Sequence, residues 1–360
     1  MKLGLGLYRD LLDAENLRFA RQAGATHIVA HIPGQFAGSG RRQIITSDRT
    51  GEGFGVSDPD DPIWTYAGLA RLKRLVESEG LVLEALENFA PAHWYDVLLD
   101  GPLFDAQIAR LQQLIRDMGR LGIATMGYYF SVAGVWGRSA APVARGAARS
   151  VGFHDPPQPP IRAGMVWNMV YDPERFDPDA GPTIAPVSHA QIWDRYRRFL
   201  AAMLPVAEEA GVRLALHPDD PPLPTLRGAA RLIHSPDGFA EVLAESPSPM
   251  HTMEFCIGTL SEMPGGDIYQ MVDRYSRTGR IAYVHFRNVR GRAPHYDEMF
   301  VDDGDTDMLE VLRILHRNRF DGVLIPDHTP QLQCAAPWHA GMAYALGYLR
   351  AALQLIARDG

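Results

Sequence analysis

The chain has 360 residues, 46% hydrophobic and 22% charged, the balance of a soluble globular protein with an ample core. A formal net charge of −8 without a basic stripe argues against nucleic acid as a partner, though a small anion remains allowed because local charge governs its binding. Two cysteines, Cys256 and Cys334, give no disulfide framework, and neither a bilayer-length apolar run nor a cleavage signal is present, so the expectation is a cytoplasmic protein with no membrane contact.

Short apolar runs alternate with longer amphipathic segments. Strands are expected at Lys2–Leu7, His27–Ile32, Leu81–Glu87, Ala124–Phe130, Arg213–His217, His251–Cys256, Ile281–Val289 and Gly322–Asp327. Helices are expected at Ala14–Ala23, Ile63–Glu79, Phe104–Leu121, His189–Ala210, Leu226–Ser246, Asp267–Ser276, Asp307–Asn318 and His339–Ile356. A strand followed by a helix, repeated through eight units, is the pattern of a (β/α)8 TIM barrel, α/β in class. An open doubly wound sheet would require a glycine-rich phosphate turn after the first strand, and Leu7-Tyr8-Arg9-Asp10 offers none. The whole chain, 1–360, reads as one barrel domain with insertions at 34–61 and 140–186, loops of the kind that wall a substrate site at the C-terminal face.

In a barrel the catalytic groups collect where the strands end. Strand five ends at His217 in HPDDPP, strand six at Cys256 in EFCIG, strand seven carries His285 in HFRN, and strand eight ends at Asp327 in PDH. Two imidazoles, a thiolate and a carboxylate from successive strands can hold a divalent transition metal and leave positions open for substrate. The thiolate argues against Mg2+ or Ca2+ as the natural ion and leaves Mn2+, Fe2+, Co2+ and Zn2+ open. Each residue alone has a blander explanation, a buried core cysteine or a hydrogen-bonded structural histidine. The joint placement at one mouth carries the metal reading. His31, on strand two, is a weaker candidate that lines the mouth.

With HPDDPP, FCIGTL, VHFRNV and PDH in this order, the chain resembles the mannonate dehydratases of the xylose-isomerase-like barrel superfamily. The resemblance covers most of the chain and is weakest over the first sixty residues and the second insertion. It implies dehydration of D-mannonate to 2-keto-3-deoxy-D-gluconate with Mn2+ or Fe2+. It places the metal on His217, Cys256, His285 and Asp327 and makes His328 an acid/base residue. Loss of the C2 proton and the C3 hydroxyl builds negative charge on the substrate carboxylate, which a cation or donors must stabilise. Arg287 is the expected second anchor, and Asn288, His31, Glu87, Trp136 and Arg138 complete the expected substrate-binding set. Asp219 or Asp220 is expected either to orient a ligand imidazole or to cap a turn, and the carboxylates of HYDEMFVDDGDTDM to close on substrate, remain solvated or cap the helix at Asp307.

The pattern departs from the family in three places. A Pro-Gly-Tyr usual after strand eight reads Pro337-Trp338-His339, making His339 the candidate proton-transfer residue. A YNF followed by Asp-Trp reads Tyr128-Tyr129-Phe130 and Val135-Trp136, and Ile325 stands where Arg is common. Lid residues such as Arg138 or Arg162 would compensate in a divergent mannonate dehydratase; a paralogue acting on a related polyhydroxy acid is the other explanation. A metal-dependent sugar isomerase or epimerase is the alternative activity. Cys256 counts against it, since such enzymes hold metal through two Glu with Asp and His, and Glu87 is the residue one would use. The expected partner is a small sugar acid, and a homodimer the expected assembly on base rate alone.

Overall fold

The computed structural model describes residues 1–34 and 54–359. Eight parallel strands close into one barrel: β1 (Lys2–Tyr8), β2 (His27–His31), β3 (Val82–Glu87), β4 (Thr125–Tyr128), β5 (Arg213–Leu216), β6 (His251–Cys256), β7 (Ile281–His285) and β8 (Val323–Ile325). Each pairs with its sequence neighbours, and β1 pairs with β8 through Lys2 opposite Val323. The outer helices are α1 (Ala14–Gln22), α2 (Tyr66–Ser78), α3 (Phe104–Leu121), α4 (His189–Ala210), α5 (Gly238–Ala244), α6 (Ile268–Ser276), α7 (Met308–Arg317) and α8 (Pro337–Asp359). The fold is therefore the (β/α)8 barrel that the alternation predicts.

Local chemistry sets the element boundaries. Ser188 caps α4 in a reciprocal capping box with Gln191, satisfying N–H groups that a helix start leaves open. Gly122 and Gly211 end α3 and α4 in the left-handed conformation, φ 66° and 65°, which glycine adopts without steric cost. No helix among the described residues is long and apolar enough to cross a membrane.

Strand parity divides the barrel interior into layers. Val29, Ala85, Ala215, Ala282, Tyr283, Val323 and Ile325 form a compact apolar plug. One step along the same inward faces, at the C-terminal ends, stand His31, Glu87, Glu254, Cys256 and His285, all buried. The apolar plug is the floor beneath a polar site.

Several boundaries differ from expectation. Strand seven ends at His285 rather than Val289, and a new strand runs from Asn288 to Arg292. It pairs with His295–Met299, which pairs with Ala148–His154, which in turn pairs with Arg138–Ala144. The insertion after β4 and the loop after β7 thus form one four-stranded antiparallel sheet. The expected helix Leu226–Ser246 is only Gly238–Ala244, because Asp219 clasps the preceding turn through the backbone N–H groups of Leu232 and Ile233, and Pro236 follows. Two extra helices, Pro91–Leu99 and Ile257–Glu262, were not expected. The expected insertion at 34–61 lies mostly outside the described residues.

Candidate active site

A cavity of about 1040 Å3 opens at the C-terminal mouth, with His217, Glu254, His285, Asp327 and His328 among its lining. His217 follows β5; its Nδ1 donates to the Pro218 carbonyl at 2.6 Å, which fixes the tautomer and leaves Nε2 for the site. Cys256 ends β6 and caps the short helix behind it, its Sγ accepting from the Thr259 N–H at 3.4 Å and hydroxyl at 3.2 Å. Burial would raise the Cys256 thiol, but the Arg287 guanidinium and the neighbouring His217 and His285 imidazoles hold it well below its ordinary value. His217 moves the other way, up to about 9: burial lowers it, and its hydrogen bond to Cys256 and the charge of Glu254 more than reverse that.

His285, at the end of β7, is the hub. Its Nε2 lies 3.2 Å from both Glu87 Oε2 and Glu254 Oε1, and its Nδ1 lies 3.5 Å from Asp327 Oδ2. That Nδ1 is buried without a hydrogen-bond partner. His217, Cys256 and His285 each offer a ligand atom within 4.8 Å of the other two. Metal–donor bonds of about 2.0–2.3 Å allow ligand atoms roughly 4.6 Å apart at most, so this trio fits a divalent transition ion with little adjustment. Asp327 stands outside that grouping and adjoins it through His285. Glu87, Glu254 and His285 form a second, overlapping trio.

The two glutamates carry opposite protonation tendencies. Burial and the neighbouring Glu87 charge push Glu254 up to about 8, against the pull of His285 and His217. Glu87 is buried too, yet His31 and His285 draw it below the usual carboxylate range. His31 stands 3.3 Å from Glu87 Oε1 and stacks on Tyr8 at 4.5 Å between centroids.

His328 faces the cavity from the end of β8. Its Nδ1 donates to the Glu298 carboxylate at 2.9 and 3.0 Å, and its Nε2 lies 3.4 Å from Asp327 Oδ1. Glu298 belongs to the strand His295–Met299, 1% exposed, with Arg287 at 3.1 Å and Arg138 at 3.5 Å. Arg138 also binds Asp220 at 2.6 Å, and Trp136 and Val135 line the same wall.

Four expectations meet a different arrangement. Arg287 is 1% exposed and absent from the cavity lining; it bonds Glu262 at 2.8 Å and Asp220 at 3.0 Å and approaches Asp327 at 3.2 Å. Its fork is paired with carboxylates on several sides. Asn288 spends its amide on the backbone, donating to the Val301 and Thr306 carbonyls and accepting from the Val289 and Thr306 N–H groups. His339 packs edge-on against Phe19 and pairs with Asn16 at 2.9 Å on the outer rim, away from the cavity. Arg162 donates to the Gly181 and Asp179 carbonyls, a turn contact and no lid.

Sequence reading also missed residues that the structure brings to the site. Glu254 stands two positions before Cys256, and strand parity of two places both on the inward face; that signal was available. Asp219 and Asp220 divide the roles expected of either: Asp219 pairs with Arg231 and the turn N–H groups, while Asp220 accepts from Arg138, Arg287 and the Tyr296 hydroxyl. Glu298 and Tyr296 come from a loop whose carboxylates had only general roles. Ile325 fills the apolar plug below the site.

A family model described as D-mannonate dehydratase (UxuA) matches residues 1–155 and 181–353. The mannonate dehydratase of Streptococcus suis (strain 05ZYH33) is 30% identical over 281 residues, 75% of this chain and 75% of that protein. Mannonate dehydratase 2 of Halalkalibacterium halodurans is 28% identical over 276 residues, 74% and 79%. Among solved structures, the mannonate dehydratase from Streptococcus suis serotype 2 superposes with a TM-score of 0.74 at 23% identity, covering 100% of this chain and 95% of that one. An L-ribulose 3-epimerase gives 0.57 at 15% identity over 99% and 96%, a likeness of fold alone. The family match spans nearly the whole length, cavity-lining strand ends included, and this chain belongs to the D-mannonate dehydratase family.

Proposed function

We propose that this protein is a hydro-lyase that converts D-mannonate, or a closely related aldonate, to the 2-keto-3-deoxy acid, with a divalent metal on His217, Cys256, His285 and Asp327. One observation carries the reading. At the strand ends beneath the cavity, His217, His285 and Asp327 crowd together with the buried Cys256 sulfur, a donor set that a divalent cation would hold together. The convergence of His217, Cys256 and His285 within 4.8 Å provides the place for it. The donor set suits Mn2+ or Fe2+, with Co2+ and Zn2+ also within its chemistry.

When bound, such an ion supplies positive charge against the negative charge that develops as C2 loses its proton. The chain's own residues do the rest. Glu298 accepts the His328 Nδ1 proton and holds the imidazole in one orientation, leaving Nε2 to take the C2 proton. That proton then leaves with the C3 hydroxyl as water, and the enol tautomerises to the keto acid. Arg138 keeps Asp220 and Glu298 in place beside the substrate. Burial of the floor excludes water from the enol. The two free thiols, one of them exposed, support a reducing compartment such as the cytoplasm, and a homodimer is the assembly favoured by base rate.

The test is a panel of aldonates incubated with the metal-loaded protein and assayed for 2-keto-3-deoxy acid. The expected result is keto acid from D-mannonate or a stereochemical neighbour. Interconversion of free ketoses with no keto acid from any aldonate would overturn the reading in favour of an epimerase.

A further inference from the structure

The cavity is larger than the proposed substrate needs. At the liquid volume of water, about 30 Å3 per molecule, the thirteen non-hydrogen atoms of a six-carbon aldonate would fill at most about 390 Å3. The cavity holds about 1040 Å3, so more than half of it lies beyond such a ligand. The metal-side residues come from the strand ends, whereas the remainder of the lining comes from the insertion after β4: Trp136, Pro156, Pro159, Trp167 and Asn168.

That wall is held in place by contacts unrelated to the metal-side residues. The Arg227 guanidinium lies 5.0 Å from the centroid of the Trp136 ring and donates to the Pro159 and Pro160 carbonyls. Trp167 and Asn168, φ 52° and 57°, are the two central residues of the tight hairpin that joins Met165–Val166 to Met169–Val170, where a positive φ at both positions is the turn's own geometry. Gly134 makes room for the first of them, since a Cβ there would overlap the Trp167 ring. The Trp167 indole N–H is buried with no acceptor. The tip of this hairpin brings Trp167 and Asn168 into the cavity lining.

We infer that the Trp136–Trp167 wall is a second subsite that takes a sugar ring linked to the far hydroxyls of the aldonate, so that the preferred substrate is a disaccharide acid. Indole rings and flanking prolines match the apolar faces of a pyranose, and the Asn168 amide matches its hydroxyls. The reacting C1–C3 end occupies the strand-end floor, and the second ring covers the wall. This inference rests on the aldonate dehydratase reading and names its substrate class.

The experiment compares Mn2+-loaded wild-type protein on D-mannonate and on mannonate carrying a β-mannosyl group at O4 or O6. The expected kcat/KM is about tenfold higher for one of the disaccharide acids. In Trp167→Ala, and separately in Trp136→Ala, that preference ratio should fall to near one. Tryptophan fluorescence titration reads binding independently of turnover and should report tighter binding of the disaccharide acid than of mannonate. Keto acid from mannonate with no preference for either disaccharide acid, in turnover or in binding, would overturn the subsite and leave the dehydratase reading intact. Tight disaccharide binding with no keto acid from any aldonate would support the subsite and overturn the reaction.

Discussion

Cys256 shows what a single side chain demands of its surroundings. Its sulfur is fully buried beside Arg287, His217 and His285, an environment that pays for a thiolate and therefore for a soft metal donor. Replacing Cys256 by Ala should remove bound Mn2+ or Fe2+, read by elemental analysis of the purified protein; full occupancy in that variant would show the ligand assignment to be wrong. Glu298 acts at one remove, through the His328 imidazole. Glu298→Gln should lower kcat about 10- to 100-fold with a smaller change in KM and a displaced pH profile, because an amide no longer fixes the Nδ1–H tautomer. Arg287 is structural in a stricter sense. Removing it leaves Glu262 buried without its counter-ion and Asp220 and Glu298 with Arg138 as their remaining arginine, so Arg287→Met should cost on the order of 3–5 kcal/mol in urea denaturation. An unchanged midpoint would mean that these carboxylates are already protonated in the native state.

Among the elements, the sheet over the mouth connects parts of the chain far apart in sequence. Its strand His295–Met299 alternates so that Tyr296 reaches Asp220 and Glu298 reaches His328, while the opposite strand keeps Gly152 against Asp297. A Cβ at Gly152 would press on the Tyr296 carbonyl at 2.6 Å. Gly152→Ala should therefore shift the strand that carries Glu298 and reduce kcat/KM about tenfold or more, with the far-ultraviolet circular dichroism unchanged; full activity would show that the strand tolerates the shift. This sheet also marks the limit of what could be read from the chain alone. The barrel strands announce themselves by short apolar runs between amphipathic helices, and His217, Cys256, His285 and Asp327 stand out because strand ends share one mouth. Antiparallel pairing between Ala148–His154 and His295–Met299 leaves no local periodicity to detect. Glu298 was visible as a residue and invisible as a buried partner. Arg287 and Asn288 misled for the opposite reason: they extend a strand-like run, HFRNV, whose backbone in fact turns after His285.

For the molecule as a whole, the polar layer sits on an apolar plug in a protein of net charge −8. Acid sensitivity follows from histidines buried elsewhere in the barrel. His251, at the start of β6, is fully buried, and burial together with the Arg280 charge lowers it to about 4. The unfolded chain binds its proton near pH 6.5 and the native one only near pH 4. Stability should therefore fall as pH drops through that window, by on the order of 2–3 kcal/mol for this group, and be insensitive to it above. Urea denaturation from pH 7 to 4 measures the slope, and His251→Gln should make it shallower. A slope identical in the variant would place the acid sensitivity in other groups.

The most direct measurement is a titration of chelator-stripped protein with Mn2+ during incubation with the responsive aldonate, following 2-keto-3-deoxy acid. Dehydration should be absent without metal, rise to a plateau at about one ion per chain, and fail to appear in Cys256→Ala at the same metal concentration. Keto acid formed at full rate by the stripped protein would contradict a metal centre at the ends of β5 to β8.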